Sequence, residues 1–145
     1  MTNIEFYSQD IDMPEFFDKE FVNELLKRMA MYYSKKLGEI SFIFCSDKKI
    51  REVNNKYLNH DYYTDTITFD YCKGNQLNGD IFIGLETILS NSEKYGTQYY
   101  EEFHRVICHS VLHLIGFKDK TDEARVIMQK NEEICLELLK KLRNE

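Results

Sequence analysis

The sequence has no run of about 20 apolar residues, the length that a helix needs to cross a bilayer. Its amino terminus lacks the basic stretch and apolar core of a secretion signal. A CxxC pair is also missing, because the cysteines stand far apart, at Cys45, Cys72, Cys108 and Cys135. These absences exclude a membrane span, a secretion signal and a zinc ribbon or thiol redox motif. They predict buried, reduced thiols in a cytoplasmic protein.

A surplus of basic residues is missing too. Lys and Arg number 19 against 25 Asp and Glu, which gives a net charge of −6. This balance disfavours a nucleic-acid partner without excluding one, since phosphate binding usually uses a basic surface. Two local clusters could each be an ordinary solvated helix face. They comprise Lys48, Lys49, Arg51 and Lys56, and at the tail Lys140, Lys141 and Arg143.

What is present is the composition of a folded protein. The chain has 145 residues, of which 43% are hydrophobic and 30% charged. A chain of this size can bury about two-thirds of its unfolded surface around one core. The sequence contains no internal repeat, low-complexity stretch or linker. We therefore expect a single domain over residues 1–145.

Hydrophobic spacing predicts both strands and helices. Alternating residues predict strands over 3–8, 40–45, 66–71 and 79–84, the last two forming a hairpin. Four-residue steps predict five helices. They run from Pro14 to before Gly38, from Ser46 or Asp47 onward, over 85–95, from Thr97 through His113, and from Thr121 onward. This order predicts an α+β domain with a small mixed sheet of about four strands and about five helices.

Two of these helices have predicted buried faces. On the helix that carries His113, the buried stripe is Phe103, Val106, Ile107, Val111 and Leu114. On the last helix, the core side is Ile127, Ile134, Leu138 and Leu142. Packing of the first stripe would hold the histidines of that helix in place.

The segment from His109 to Asp119 has the pattern HxxxHxxGxxD. Residues four apart share a helix face, so His109 and His113 can direct two imidazoles to one point. Gly116 suits the end of that helix, and the turn there could return Asp119 as an oxygen ligand. Such a ligand set suits zinc and leaves one position for water or substrate. The pattern favours a catalytic metal site over a helix that merely carries one exposed and one buried histidine.

The same segment resembles the signature HGxLHLxGYDH of the YbeY-like endoribonucleases, the bacterial rRNA maturation factors. The resemblance extends over about residues 40 to 140. The run from Thr64 to Phe69 is similar to a family segment that ends in TDVLSF. Further similar positions are Asn54, Tyr57, Asp61, Gly79-Asp80-Ile81, Met128 and Glu132 or Glu133.

Four positions depart from the family pattern. Asp119 stands where the family has its third histidine, and Lys118 where it usually has aspartate. Ser110 replaces a glycine, a change that a helix tolerates. Leu58 replaces an arginine that would contact the RNA backbone. A carboxylate binds zinc at about 2.0 to 2.2 Å, and it would shift the metal preference toward harder ions.

The resemblance implies a metal-dependent endoribonuclease acting on single-stranded RNA, in particular precursor rRNA or the small ribosomal subunit, with ribosome-associated proteins as further partners. His109, His113 and Asp119 would hold one Zn²⁺ or another divalent metal. The two histidines would act in catalysis through metal-bound water, whose pKa falls toward about 7. No separate general base is identified.

Two other functions stay open. A metalloprotease usually has a glutamate directly after the first histidine as its base, and Ser110 at that position disfavours this function. A non-catalytic ribosome-assembly factor would have a structural metal or none. A structural site normally has four protein ligands, and no fourth stands out unless His60 or a distant carboxylate folds in.

Several residues are candidate RNA contacts. Arg51, Asp65 and Arg105 are the candidate substrate-binding residues, although Asp65, with Thr64, could equally open a strand. The basic segment from Lys48 to Lys56 would form a positive strip. Unpaired bases could stack on aromatic rings, with His60 and Asp61 near them in the same loop; the rings are Tyr57, Tyr62, Tyr63 and Phe69. His104 lies five residues before His109, so we expect it to point round the helix to the surface.

Overall fold

The structure is a computed structural model and describes residues 3–58 and 65–145. Within these ranges the chain forms four strands and five helices. The strands are β1 (Asn3–Ser8), β2 (Lys36–Cys45), β3 (Thr66–Asp70) and β4 (Gln76–Gly84). The helices are α1 (Lys19–Tyr32), α2 (Asp47–Leu58), α3 (Leu85–Tyr95), α4 (Tyr99–Ile115) and α5 (Asp122–Arg143). The predicted α+β class, with about four strands and five helices, is confirmed.

The strands form one mixed sheet in the order β1-β2-β4-β3. β1 and β4 each pair with β2 in parallel, and β3 pairs with β4 as the antiparallel edge. β2 is covered on both faces, since Phe42 and Phe44 are buried on one side and Ile43 and Cys45 on the other. The antiparallel pairing of β3 with β4 confirms the predicted hairpin, and β3 is the edge strand on that side of the sheet.

Several element boundaries differ from the prediction, and β4, for example, begins at Gln76 rather than at residue 79. α1 begins at Lys19 rather than Pro14, because the Asp18 side chain accepts a hydrogen bond from Phe21 N at 3.2 Å and caps the helix there. β2 begins at Lys36 and continues through Gly38. A Cβ at Gly38 would lie 2.2 Å from Asn78 Oδ1, so this strand position requires a glycine.

The predicted core side of α5 is confirmed in part, since Leu138 and Leu142 are half-buried and pack against the core. Ile127 is 51% exposed, so its assignment to the core side was wrong. The buried residues of α5 are Met128, Glu132, Cys135 and Leu139. The Glu132 carboxylate can lie on this face because it is paired with residues of α4. Hydrophobic periodicity alone predicts that a glutamate is exposed to solvent.

α4 carries both histidines of the predicted site, and most of its residues from Glu102 to Leu114 are buried. All five residues of its predicted stripe are buried, as predicted. Ser110 faces β3, where its Oγ lies 2.8 Å from Thr66 Oγ1. This contact places the histidine face of α4 beside the antiparallel edge of the sheet.

The cysteines agree with the prediction in part. All four are free thiols, and Cys45, Cys108 and Cys135 are buried, whereas Cys72 is half-buried. None of the helices in the described ranges combines the length and apolar character needed to cross a bilayer.

Candidate metal centre

Three side chains meet where α4 ends. His109 and His113 lie one helical turn apart, and Gly116, with φ of +124°, turns the chain so that Asp119 returns to them. The two Nε2 atoms are 3.1 Å apart. Asp119 Oδ2 lies 3.3 Å from His109 Nε2 and 3.2 Å from His113 Nε2. The structure thus brings together the three predicted ligand atoms, which could hold a metal ion.

The remaining ring nitrogens fix the form of both imidazoles. His113 Nδ1 lies 3.0 Å from the carbonyl oxygen of Phe117, which can only accept, so Nδ1 carries the proton. His109 Nδ1 lies 2.6 Å from Glu132 Oε2 and donates to that carboxylate in the same way. In the neutral rings both Nε2 atoms then carry no proton, and each has a free lone pair.

Three acceptor atoms therefore converge with no proton between them when the rings are neutral. A tetrahedral zinc site with bonds of about 2.0 to 2.2 Å separates its ligand atoms by about 3.3 to 3.6 Å. The observed separations of 3.1 to 3.3 Å are close to this spacing. The donor set and its spacing fit a divalent metal ion.

Three charged side chains, Glu102, Arg105 and Glu132, contact one another in sequence, and the last of them contacts His109 on the side away from the other two candidate ligands. Arg105 Nη1 donates to Glu132 Oε1 at 3.0 Å, and Arg105 Nε donates to Glu102 Oε2 at 3.0 Å. Burial works to raise the pKa of Glu132, but its hydrogen bond to His109 and the charge of Arg105 outweigh burial and hold that pKa below its ordinary value. Glu132 is therefore an anion next to His109.

The electrostatics of His109 favour positive charge. Burial works to lower its pKa, but the hydrogen bond and charge of Glu132, with smaller effects from Asp65 and Asp119, outweigh burial and raise that pKa. The same carboxylates that attract a proton to this ring would attract a metal cation in its place.

An open cleft of about 480 Å³ gives access to the three ligands. Asp65 and Thr66 line it from the start of β3, and Asn54 and Leu58 from α2. Burial raises the pKa of Asp65, which His109 and Arg105 offset only in part. The full lining is Asn54, Leu58, Asp65, Thr66, Ile67, Thr68, Asp70, His109, His113, Lys118, Asp119 and Lys120.

Comparison with known proteins identifies the family. Residues 3–140 match the family model described as Endoribonuclease YbeY. The chain belongs to this family. The endoribonuclease YbeY of Bacteroides fragilis is 51% identical over 137 residues, which cover 94% of this chain and 98% of that protein. That of Parabacteroides distasonis is 51% identical over 136 residues, covering 94% and 95%.

A solved structure supports the fold. The solution structure of TM1509 from Thermotoga maritima has a TM-score of 0.63 and 21% sequence identity, and the match covers 94% of this chain and 88% of that one. At this identity the likeness concerns the fold alone.

The sequence-predicted RNA contacts of this YbeY family member lie in different places. Asp65 lines the metal cleft, whereas Arg51 is half-buried on α2 and is not among the described residues lining that cleft. The guanidinium of Arg105 lies between Glu102 and Glu132. Lys49 and Lys56 line a separate cleft on the other side of α2. Their roles in RNA binding stay predictions.

The predicted aromatic stack falls partly within the described ranges. Tyr57 is 59% exposed, and its ring meets Phe69 edge to face at a centroid distance of 5.9 Å. The remaining residues of this prediction lie outside the described residues, namely His60, Asp61, Tyr62, Tyr63 and Thr64.

The predicted surface position of His104 is wrong. This histidine is only 1% exposed, and its Nδ1 donates to the Tyr100 carbonyl at 2.7 Å. Phe16 and Phe21 pack around its ring. Burial lowers the pKa of His104 to about 4. The covering residues come from before and within α1, so they cannot be inferred from spacing along α4.

Two further residues lie at this site, although they were not predicted there from the sequence. Glu132 was singled out only as one of two similar positions, yet it bonds directly to His109. Lys120 was not singled out, and it lines the cleft next to Asp119. Glu132 lies on the buried side of α5 with Met128 and Cys135, but its contact with His109 depends on how α5 packs against α4.

Proposed function

We propose that this protein is a zinc-dependent endoribonuclease that hydrolyses phosphodiester bonds in single-stranded RNA. Zinc would be held by His109, His113 and Asp119, and another divalent metal could replace it. The observation that carries the proposal is the convergence of three acceptor atoms at 3.1 to 3.3 Å at the base of an open cleft. The names of the relatives support RNA as the substrate, since they are endoribonucleases.

The bound metal would supply a lowered pKa for water and polarisation of a phosphoryl oxygen. The protein's own contribution is to hold both imidazoles with Nε2 facing the cleft. Glu132 and the Phe117 carbonyl do so by accepting the Nδ1 protons. Asp65 lies in the same cleft, where a substrate phosphate or ribose would meet it.

The positive charge needed near the RNA comes in part from the segment of Asp119. Lys118 and Lys120 are exposed, and both line the metal cleft. They lie in the same cleft as Leu58, the position at which the resembled family has an arginine. We propose that these two lysines contact RNA phosphates, with Asp65 and Arg51 as further candidate contacts.

The substrate and setting follow from the resemblance. Precursor rRNA or the small ribosomal subunit would be the target, in the cytoplasm, with residues 1–145 acting as one domain. The metalloprotease function has no support at the decisive position, because Ser110 is fully buried and its hydroxyl donates to the Val106 carbonyl at 2.9 Å. A serine in this position has no access to a substrate.

The proposed function is tested by comparing wild type with His109→Ala and His113→Ala. Roughly one zinc per chain and cleavage of single-stranded RNA are expected for the wild type, and both should be lost in each variant, because two ligands hold a metal poorly. Metal analysis and a gel cleavage assay measure these outcomes. Cleavage that survives in His109→Ala would point to a contaminating nuclease, and unchanged zinc in His113→Ala would disprove the ligand assignment.

A further inference from the structure

Glu102, Arg105 and Glu132 form a continuous chain of charged contacts that ends on His109. We propose that Arg105 and Glu132 are positioning residues, which hold the His109 imidazole for the metal and set the metal affinity of the site. This inference rests on the proposed function, because it concerns the same metal. It gives Arg105 a role at the metal site in place of the RNA contact predicted from the sequence.

The two oxygens of Glu132 are divided between two partners. Oε2 accepts from His109 Nδ1 at 2.6 Å, and Oε1 accepts from Arg105 Nη1 at 3.0 Å. Arg105 therefore determines which way the carboxylate plane faces. With both oxygens used, Glu132 cannot rotate without breaking one of the two hydrogen bonds.

Arg105 is itself fixed from the other side. Its Nε donates to Glu102 Oε2 at 3.0 Å, and its Nη2 pairs with Glu102 Oε1, so the pair is bidentate. Glu102 is 5% exposed and Glu132 is 8% exposed. A buried carboxylate without a cationic partner is strongly unfavourable, and the guanidinium of Arg105 is the cationic partner of both carboxylates.

This arrangement uses the donors of Arg105 inside the protein. Nε, Nη1 and Nη2 each have a carboxylate partner. Three of the five N–H groups of Arg105 are used in this way. A phosphate could meet only the remaining N–H groups on Nη1 and Nη2, with the guanidinium held where Glu102 and Glu132 place it. The geometry therefore favours a fixed arginine whose effect reaches the site through Glu132 and His109.

The consequence for the metal follows from the proton on Nδ1. An anionic partner at Nδ1 selects the tautomer with a free Nε2, orients the ring and makes Nε2 more basic. Loss of such an outer partner typically lowers metal affinity by about 10- to 100-fold. We expect Glu132→Gln and Arg105→Met each to lower zinc affinity by about 10-fold or more, while His109 stays in place as a ligand.

The experiment measures zinc affinity by competition with a chromophoric chelator in the intact protein, for wild type, Glu132→Gln, Arg105→Met and Arg105→Lys. Glu133→Gln is the matched control on α5, since Glu133 is the exposed neighbour of Glu132. Arg28→Met is the matched control for arginine, since Arg28 pairs with Glu24 and Glu145. Both controls should bind zinc as wild type does. Arg105→Lys should bind zinc more tightly than Arg105→Met but less tightly than wild type, because lysine keeps the positive charge but lacks the planar guanidinium that pairs with two carboxylates.

Two further readouts separate positioning from other roles. Long-range ¹H–¹⁵N spectra of the metal-free protein, recorded at a pH high enough for His109 to be neutral, should show its Nδ1–H tautomer in wild type and a mixture in Glu132→Gln. The double variant Glu132→Gln/Arg105→Met should lose little more affinity than Glu132→Gln alone, since both changes act through one contact. In the metal-free proteins, which should leave the RNA uncleaved, binding of a short single-stranded RNA should be the same in Arg105→Met as in wild type.

Each outcome decides the inference. Unchanged zinc affinity in both single variants, with only a lower melting temperature, would mean that the charged contacts stabilise the packing of α4 against α5 and do not position His109. Normal zinc affinity with weaker RNA binding in Arg105→Met would make Arg105 an RNA contact. If wild type bound no zinc, the proposed function itself would fall, and this inference with it. In a zinc-binding wild type, failure of the inference leaves the proposed function standing.

Discussion

His104 shows how burial changes the chemistry of one side chain. Two histidines of α4 lie at the cleft, and His104 lies among aromatic rings in the core. Burial lowers its pKa to about 4 from an ordinary value of 6.5. The folded protein therefore keeps this ring neutral at pH values where the unfolded chain takes up a proton.

The stability of the protein should fall in acid partly because of His104. Above about pH 6.5 the ring is neutral in both states and contributes no pH dependence. As the pH falls below this value, only the unfolded state gains the proton, and the penalty grows until about pH 4. Between about pH 7.5 and about pH 5 this residue should lower the free energy of unfolding by about 2 kcal/mol. His104→Gln, which keeps a donor for the Tyr100 carbonyl, should remove that part of the pH dependence.

Urea unfolding of both proteins at the two pH values measures this effect. Groups other than His104 titrate alike in wild type and variant, so the difference between their pH dependences isolates this histidine. Equal acid sensitivity in the two proteins would mean that His104 becomes protonated in the folded state without penalty.

The convergence of the three candidate ligands was predictable residue by residue. His109 and His113 converge because a helix places residues four apart on one face. Asp119 joins them because Gly116 supplies the positive φ that ends α4 and reverses the chain. Glu132 was less accessible to prediction, since its function depends on how α5 packs against α4, which no local pattern specifies.

At the scale of elements, the site depends on how α4 meets β3. Ser110 Oγ lies 2.8 Å from Thr66 Oγ1 and donates to the Val106 carbonyl at 2.9 Å. The resembled family has a glycine at this position. In this chain a buried hydroxyl connects the helix that carries two ligands to the strand that opens the cleft.

Replacing Ser110 should separate two contributions to stability. Ser110→Ala removes the hydroxyl contact and should lower the free energy of unfolding by about 1 kcal/mol. Ser110→Gly removes the same contact and also loosens the helix interior, which should cost about 1 kcal/mol more. Chemical denaturation gives both values, and zinc binding should persist in both variants. An alanine variant as stable as wild type would show that the hydroxyl contact contributes nothing net.

Element types were predicted better than element ends. β3, β4 and α3 follow from alternation and four-residue steps, and α3 has the predicted bounds, Leu85–Tyr95. The start of α1 was wrong because Asp18 caps the helix after Pro14 has made a separate turn, with Phe17 N donating to the Pro14 carbonyl at 3.0 Å. Both sites satisfy start rules, and only the packing of the segment between them decides which is used.

At the scale of the whole molecule, a net charge of −6 has to be reconciled with an RNA substrate. α2 forms a wall between two clefts, since Asn54 and Leu58 line the metal cleft and Lys49 and Lys56 line the other. Lys118 and Lys120 lie in the metal cleft itself. The positive side chains are therefore distributed on both sides of α2, and a strand longer than the metal cleft could reach both groups.

This distribution predicts a dependence on RNA length. Lys118→Gln/Lys120→Gln removes two charges beside the ligands, so it should weaken binding of both short and long single strands. The salt dependence of log affinity should flatten by about 1.4, which corresponds to two lost contacts on single-stranded nucleic acid. Lys49→Gln/Lys56→Gln should weaken only the binding of strands long enough to cross α2. Fluorescence anisotropy at several salt concentrations, with the metal-free proteins so that the RNA is not cleaved, gives both slopes.

The two double variants serve as controls for each other, since each removes two positive charges and changes the net charge equally. A general electrostatic effect of the whole protein would weaken RNA binding alike in both variants and at every length. Local phosphate contacts would instead make the short strand sensitive to positions 118 and 120 alone. If the short strand bound equally well to wild type and to Lys118→Gln/Lys120→Gln, the cation for the scissile region would have to come from the metal alone, and the two lysines would be ordinary surface residues.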